Sequence, residues 1–538
     1  MTLAKHLSVR ATPQTEPIPG KPMVPNSAGG YSFQVTDWDR LDRFLILGSA
    51  GGTYYVSERK LTIDNAKCVL DCAKEDAART VNQIVAISEA GRAPKNDPAI
   101  FALALLASQG SAETKALALE AMPKVCRIGT HLFQFAAACN ELRGWGRGLR
   151  RAIGAWYTDK DAKDVAYQCA KYQSRDGWSH RDLLRLCHVK PVQFSPPKPD
   201  EPDRAKVLNW VVKGWPSVGE TPHDRDALKT IWAFEKAKKA TDAKEVAKLI
   251  ADYNLPRECV PTQFLNELPV WDALLQKMPM TAMIRNLATM TRLGLIAPLS
   301  EAMKKVVAEL GSVERLKKAR VHPLSLLVAL KTYAQGRGDK SDKTWVPVQK
   351  VVDALDDAFY LAFDAVEPTN KRWMLGLDVS GSMGAAICNS PVTCCEAATA
   401  ISLVTTRIEP WTFTGRFNTG FQTCPFTAKT RLDEALRYTR DINGGGTDCS
   451  MPMLYATQNK IPVDVFVVIT DSETYAGRAQ PPQVLNEYRQ RMGIPAKMIV
   501  VGMTSTGFTV ADVNDPGSLD IVGMDTGVPT VMNQFVAG

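Results

Sequence analysis

Near Arg372 the chain changes its hydrophobic period, and no single fold accommodates both sides of that change. From about Lys60 onward, "TVNQIVAISEAG", "AIFALALLAS", "AETKALALEAMPKV", "HLFQFAAACNEL" and "GLRRAIGAWYT" carry apolar residues at helical spacing. Beyond Arg372, the apolar runs Trp373–Val379, Val463–Thr470 and Ala496–Met503 have strand length. They alternate with helical patterns, "CCEAATAISLVTT" and "RLDEALRYTRDI". Continuous apolar strands alternating with helices predict a doubly wound α/β sheet whose ligands bind beyond the carboxyl ends of its strands. At 538 residues the chain is long enough for two cores.

Further helical patterns occupy Arg204–Lys213, Ala227–Tyr253, Thr262–Leu293, Ser300–Ala319, His322–Gln335 and the segment "VPVQKVVDALDDAFYLAFDAV". Asp97-Pro98 offers a cap with proline at the first helical position, and Ser179 with Asp182 forms a capping-box pattern. Short amphipathic helices in series bury their faces by stacking in antiparallel pairs, so an all-α, HEAT-like repeat array is expected over residues 31–365. An α/β domain is expected over 371–538. Phe194–Asp203, "FSPPKPDEPD", and Gly336–Lys343 read as loops. Within 31–59, Phe44–Leu47, Gly48–Gly52 and Thr53–Val56 suggest a β-hairpin. Residues 1–30 are polar and rich in proline, without the apolar core of a secretory signal, and read as a flexible arm. No apolar run reaches the length of a membrane span.

The twelve cysteines are scattered without a CxxC pair, which favours reduced thiols in a cytoplasmic protein, with the nucleus as a second compartment. Charge is divided unequally. Through Lys350 there are 52 Lys and Arg against 37 Asp and Glu; from Val351 there are 13 against 20. A polyanion partner for the basic part and a cation for the acidic part would account for the split.

In "LDVSGSMG", Asp378, Ser380 and Ser382 stand on alternate residues of the loop leaving the first strand. Thr447 follows the run Gly444–Gly446, and Asp471 ends the strand "VFVVITD". All five oxygen donors therefore gather at one end of the sheet. Two carboxylates and three hydroxyls suit Mg2+, with Mn2+ and Ca2+ as the other oxygen-seeking ions. The plainer alternative is a serine-rich turn capped by Asp378. No His or Lys lies in these segments to serve as a base, which argues against hydrolysis. The pattern resembles the metal-ion-dependent adhesion site of von Willebrand factor A domains, over about Lys371 to Gly538. It departs from the common form at Ser472, where a glycine often stands. The resemblance implies that an acidic side chain of a partner protein completes the coordination.

Arg143–Lys190 holds eleven Lys and Arg against five Asp. Arg181, Arg185 and His188 fall at i, i+4 and i+7, and Lys171 and Arg175 form another i, i+4 pair. Charge alone leaves two readings open, a solvated face or a stripe for a phosphate backbone. No RNP1, KH or Cys/His finger pattern is present, and neither glycine run carries the Lys-Ser/Thr of a P-loop.

Helical repeats followed by an A domain, together with "TDWDRLDRFLILGSAGGTYY", "QSRDGWSHRDLLRLCHVKP" and "LGLDVSGSM", closely resemble the Ro (SS-A) proteins of the TROVE family. The resemblance implies a ring of helices closed by the A domain, and a non-enzymatic, monomeric protein of RNA quality control. Y RNAs would bind a basic outer surface, and misfolded non-coding RNAs would thread single-stranded 3′ ends into a central hole. Family knowledge carries Y-RNA contact onto Lys171, Arg175 and His188, with Arg181 and Arg185 as neighbours, and identifies no pore residue. The alternative from another class is a cation-dependent protein-adhesion scaffold acting through the A domain.

Overall fold

A computed structural model describes residues 11–48, 57–190, 199–218, 225–338, 342–439 and 444–538. Helices run in succession from Asp37–Leu47 to Gln349–Leu361. The helical array closes on itself. The His322 ring donates from Nε2 to the Arg92 carbonyl (3.1 Å), joining the start of the helix Pro323–Ala334 to the end of Ala77–Ala90. His322 Nδ1 accepts from Leu324 N (3.1 Å) and so caps its own helix.

The strands are β1 (Met23–Pro25), β2 (Tyr31–Gln34), β3 (Ser174–Arg175), β4 (Trp178–Ser179), β5 (Arg372–Asp378), β6 (Trp411–Phe417), β7 (Phe421–Cys424), β8 (Val465–Thr470), β9 (Lys497–Gly502), β10 (Phe508–Thr509) and β11 (Ser518–Val522). Six make one sheet in the order β11-β9-β8-β5-β6-β7, parallel except for the antiparallel edge strand β7. The expected strands are β5, β8 and β9; β6, β7 and β11 are additional. On β8, Val465, Val467 and Ile469 face one core, and Phe466 and Val468 face the other. The first core is continuous with that of the helices, so the sheet is built onto the array and not merely tethered to it.

Several expectations need correction. Phe44–Leu47 is no strand: it ends the helix Asp37–Leu47, which a Thr36–Asp39 capping box opens. Residues 49–56 lie outside the described residues. Of the arm expected over residues 1–30, residues 1–10 lie outside the described residues, and residues 11–30 are not free. Strand β2 pairs with β1 and with β10, and Gln14 and Asn26 are buried against the A domain. Pro202 sits in the first turn of the helix Glu201–Lys213, where its missing N–H costs no bond, so the loop read over 194–203 ends before Glu201. Asn96, not Asp97, stands at the cap of Asp97–Gln109. The twelve cysteines are all free thiols.

His131, His180 and His322 are each pushed down to about 4, chiefly by burial. The unfolded chain takes up protons near pH 6.5 that these folded imidazoles refuse. Stability should therefore be full above pH 6.5 and fall as pH drops towards 4, by up to about 3 kcal/mol per imidazole. Urea midpoints measured between pH 8 and 4 check this, and His322→Asn should flatten part of the slope.

Candidate cation and nucleic-acid sites

Strand β5 ends in Asp378, strand β8 runs into Asp471, and Ser380, Ser382 and Thr447 lie on loops at the same end of the sheet. All five side chains are buried. Asp378 Oδ1 accepts from Ser380 N (2.9 Å) and Oδ2 from Thr470 Oγ1 (2.6 Å). The Ser380 and Ser382 hydroxyls lie 3.2 Å apart. Asp471 Oδ1 accepts from Glu473 N (3.1 Å), whereas Asp471 Oδ2 and Thr447 Oγ1 are buried without a hydrogen-bond partner among the described residues. The Thr447 carbonyl accepts from Tyr475 N and Ala476 N (3.0 and 2.9 Å), which binds the two loops together. Gly446 permits that approach, because a Cβ there would sit 2.8 Å from Ala476 Cβ.

Burial, and then the Asp471 charge, push Asp378 up to about 7. Burial raises Asp471 as well, with the Ser382 hydroxyl working against it. No described Lys, Arg or His forms an ion pair with either carboxylate. Two buried carboxylates of like charge with unused oxygens are unfavourable unless a cation or protons neutralise them. The donor set fits a hard divalent ion. No cluster of three His, Cys, Asp or Glu occurs among the described residues, so the set depends on hydroxyls, as Mg2+ tolerates and Zn2+ does not favour. Ser472, at the departure from the common pattern, has φ +65°, the left-handed conformation that glycine adopts without strain.

The predicted RNA-contact residues occupy one continuous run of structure. Lys171 ends the helix Ala162–Lys171, its ammonium 5.4 Å from the Tyr167 ring and 5.1 Å from that of Tyr172. Arg175 stands on β3, joined to β4 by Asp176-Gly177, both at positive φ, the tight turn that suits a hairpin twist. A Ser179–Asp182 capping box then starts the helix His180–Cys187, which exposes Arg181 and Arg185 and buries Leu183 and Leu184. His188 is not on that helix face: it is the left-handed cap (φ +50°), exposed just past the last turn. Arg181, Arg185 and His188 have no charged partner among the described residues, while Arg175 meets only the exposed Asp176 (3.4 Å).

His180, beside these residues, is structural. Its Nδ1 lies 2.7 Å from the Tyr157 hydroxyl, and its ring packs on Phe133 and Trp156. A second basic surface was not resolved residue by residue in the sequence. Lys115, Arg143, Arg147 and Arg151, outnumbering Glu120 and Asp159, line a groove of about 660 Å3 against the helices Ala112–Val125 and Arg147–Thr158. The excess of Arg143–Lys190 was the available signal; which of its cations share a surface depends on helix packing.

Two domain models match the chain: the TROVE domain over residues 24–332 and the Ro60 vWA domain over residues 372–536. The RNA-binding protein RO60 of Deinococcus radiodurans is 40% identical over 532 residues, spanning 98% of this chain and 97% of its own. The RNA-binding protein RO60 of Caenorhabditis elegans is 36% identical over 581 residues, spanning 96% and 90%. The crystal structure of the D. radiodurans Ro (RSR) protein matches with a TM-score of 0.70 at 39% identity, covering 93% of this chain and 99% of that one. With one model spanning more than half its length and these relatives matching nearly end to end, the chain belongs to the TROVE family, with an A domain of the Ro60 type at its carboxyl end.

Proposed function

We propose that this protein binds small non-coding RNAs, Y RNAs among them, without altering them chemically. The basic run of half-buried Lys171 and exposed Arg175, Arg181, Arg185 and His188 contacts the RNA, and the exposed Arg181 and Arg185, without a charged partner among the described residues, are the observation that carries the reading. Such cations gain by displacing the counterions of a phosphate backbone, while RNA shape and unpaired bases provide selectivity. The names of the two relatives support RNA over an adhesion scaffold as the main role.

Misfolded RNAs with single-stranded 3′ ends are the second class of ligand, entering the closed helical array. Mg2+ at Asp378, Ser380, Ser382, Thr447 and Asp471 would offer an acidic protein partner a coordination position. It would not serve RNA cleavage, since no His or Lys lies in the segments that carry these residues.

A salt titration of binding to a Y-type hairpin RNA tests the reading. The wild type should show a steep loss of affinity with salt. Lys171→Ala with Arg175→Ala should weaken binding roughly tenfold and reduce the logarithmic salt slope by about two. His188→Asn tolerates the left-handed backbone and removes the imidazole, so it should weaken binding without unfolding the cap. Flat salt dependence would reject the electrostatic reading, and unchanged affinity in the double variant would reject this surface. Incubation with Mg2+ should return the RNA intact.

A further inference from the structure

The amino-terminal arm is joined to the very loops that carry the cation ligands. Gln14 is fully buried, and its amide has every bond it can make. Nε2 donates to Asp448 Oδ1 (2.7 Å), next to Thr447, and to the Ala479 carbonyl (3.0 Å). Oε1 accepts from Thr474 Oγ1 (2.5 Å) and Gly477 N (3.0 Å). The same Thr474 hydroxyl takes up Cys449 N (3.2 Å), so one glutamine spans both the Thr447 and the Asp471 loops.

The rest of the arm holds the turn after Asp471. Ser32 Oγ donates to the Ser472 carbonyl (3.2 Å), Asn26 Nδ2 to the Thr474 carbonyl (2.7 Å), and Ala28 N to Glu473 Oε2 (3.1 Å). Ser472 lies in the left-handed region, where a non-glycine residue is held at a cost. The contact is also built into the glycines on each side. A Cβ on Gly30 would fall 1.9 Å from the Thr474 carbonyl oxygen, and one on Gly477 would fall 2.2 Å from Gln14 Nε2.

We infer that the arm, through Gln14, Asn26 and Ser32, sets the geometry of the cation loops, so that arm docking and divalent-cation binding reinforce each other. The inference rests on the reading of Asp378, Ser380, Ser382, Thr447 and Asp471 as a cation site. Gln14 touches no proposed ligand side chain and acts as a positioning residue. Partners of ligands in other metal sites typically change affinity ten- to a hundredfold when removed.

The test uses full-length protein, freed of metal with EDTA and titrated with Mn2+ by calorimetry. Gln14→Ala should bind Mn2+ roughly ten- to a hundredfold more weakly than wild type. Its Tyr475, Ala476 and Gly477 amides should exchange faster without metal, while exchange in the helix Gly129–Leu142 stays unchanged. Reciprocally, Mn2+ should slow exchange at Gln14, Ala28 and Gly30 in the wild type, an effect that a merely structural contact would not produce. Ser32→Ala removes only the hydroxyl's bonds to the Ser472 carbonyl and from Asn26 Nδ2, and gives the same readings, at smaller amplitude, should Gln14→Ala fail to fold. Wild-type Mn2+ affinity in both variants would overturn the inference and leave the cation site standing. No Mn2+ binding by the wild type would overturn the cation site itself, and the coupling with it.

Discussion

Asp471→Asn should abolish divalent-cation binding and at the same time stabilise the metal-free protein. The two effects have separate causes in the same carboxylate. Its Oδ1 accepts from Glu473 N, a role the amide oxygen of Asn retains, while Oδ2 is buried without a hydrogen-bond partner among the described residues. Replacing Oδ2 by NH2 therefore costs at most the weak interaction with the Ser382 hydroxyl and removes the charge that, after burial itself, does most to raise Asp378. Relief of a buried like-charge pair is expected to contribute about 1–2 kcal/mol in EDTA. The loss of a charged oxygen ligand should weaken Mn2+ binding by on the order of a hundredfold or more. Asp378→Asn should behave differently. Both its oxygens accept hydrogen bonds, from Ser380 N and Thr470 Oγ1, and an amide cannot accept at both positions. That variant should lose metal and stability together. Thermal melts with Mn2+ and with EDTA separate the cases; equal melting behaviour of the two variants in EDTA would contradict the geometry.

The largest effect on stability is expected from Arg43→Met. Arg43 projects from the helix Asp37–Leu47 into the A domain and is 1% exposed. Nη1 donates to the Thr506 and Phe508 carbonyls, both at 3.1 Å, and Nη2 to Asp520 Oδ2 at 2.5 Å. Removing the guanidinium leaves two carbonyls and a carboxylate short of donors, a loss of about 3–5 kcal/mol. Arg43→Lys should recover little, since one ammonium cannot reproduce the planar fork. Adding Asp520→Asn to Arg43→Met should return part of the loss, because the stranded charge is then gone. Denaturant unfolding monitored by tryptophan fluorescence provides the measurement. Additive effects of the two substitutions would show that the ion pair is not what joins the domains.

Much of this arrangement was legible in the sequence. Strands β5, β8 and β9 are continuous apolar runs because both their faces are covered, and that pattern reads directly. The cation residues followed from where such strands end. Strand β6, "WTFTGRF", was missed because Gly415 and Arg416 interrupt its apolar pattern. The run Phe44–Leu47 misled because four apolar residues fit either a strand or the buried end of a helix. The Thr36–Asp39 capping box was the signal that decides between them. The arm's docking left almost no local trace. It depends on single polar side chains meeting loops more than 400 residues away, and only the glycines at 30 and 477 mark the contact.

That docking also fixes the order in which the molecule can be completed. Gln14 and Gly477 are 463 residues apart in the chain, so synthesis delivers one half of this contact long before the other. At roughly 5–20 residues per second the arm waits for about 20–90 s before its partner emerges. Helices can stack as they appear, but β2 has no partner in β10, and Arg43 no acceptors, until the A domain has been made. A polypeptide cut short before β10 therefore displays Phe33 and a naked guanidinium at its front. Its own amino terminus reports that it was never finished.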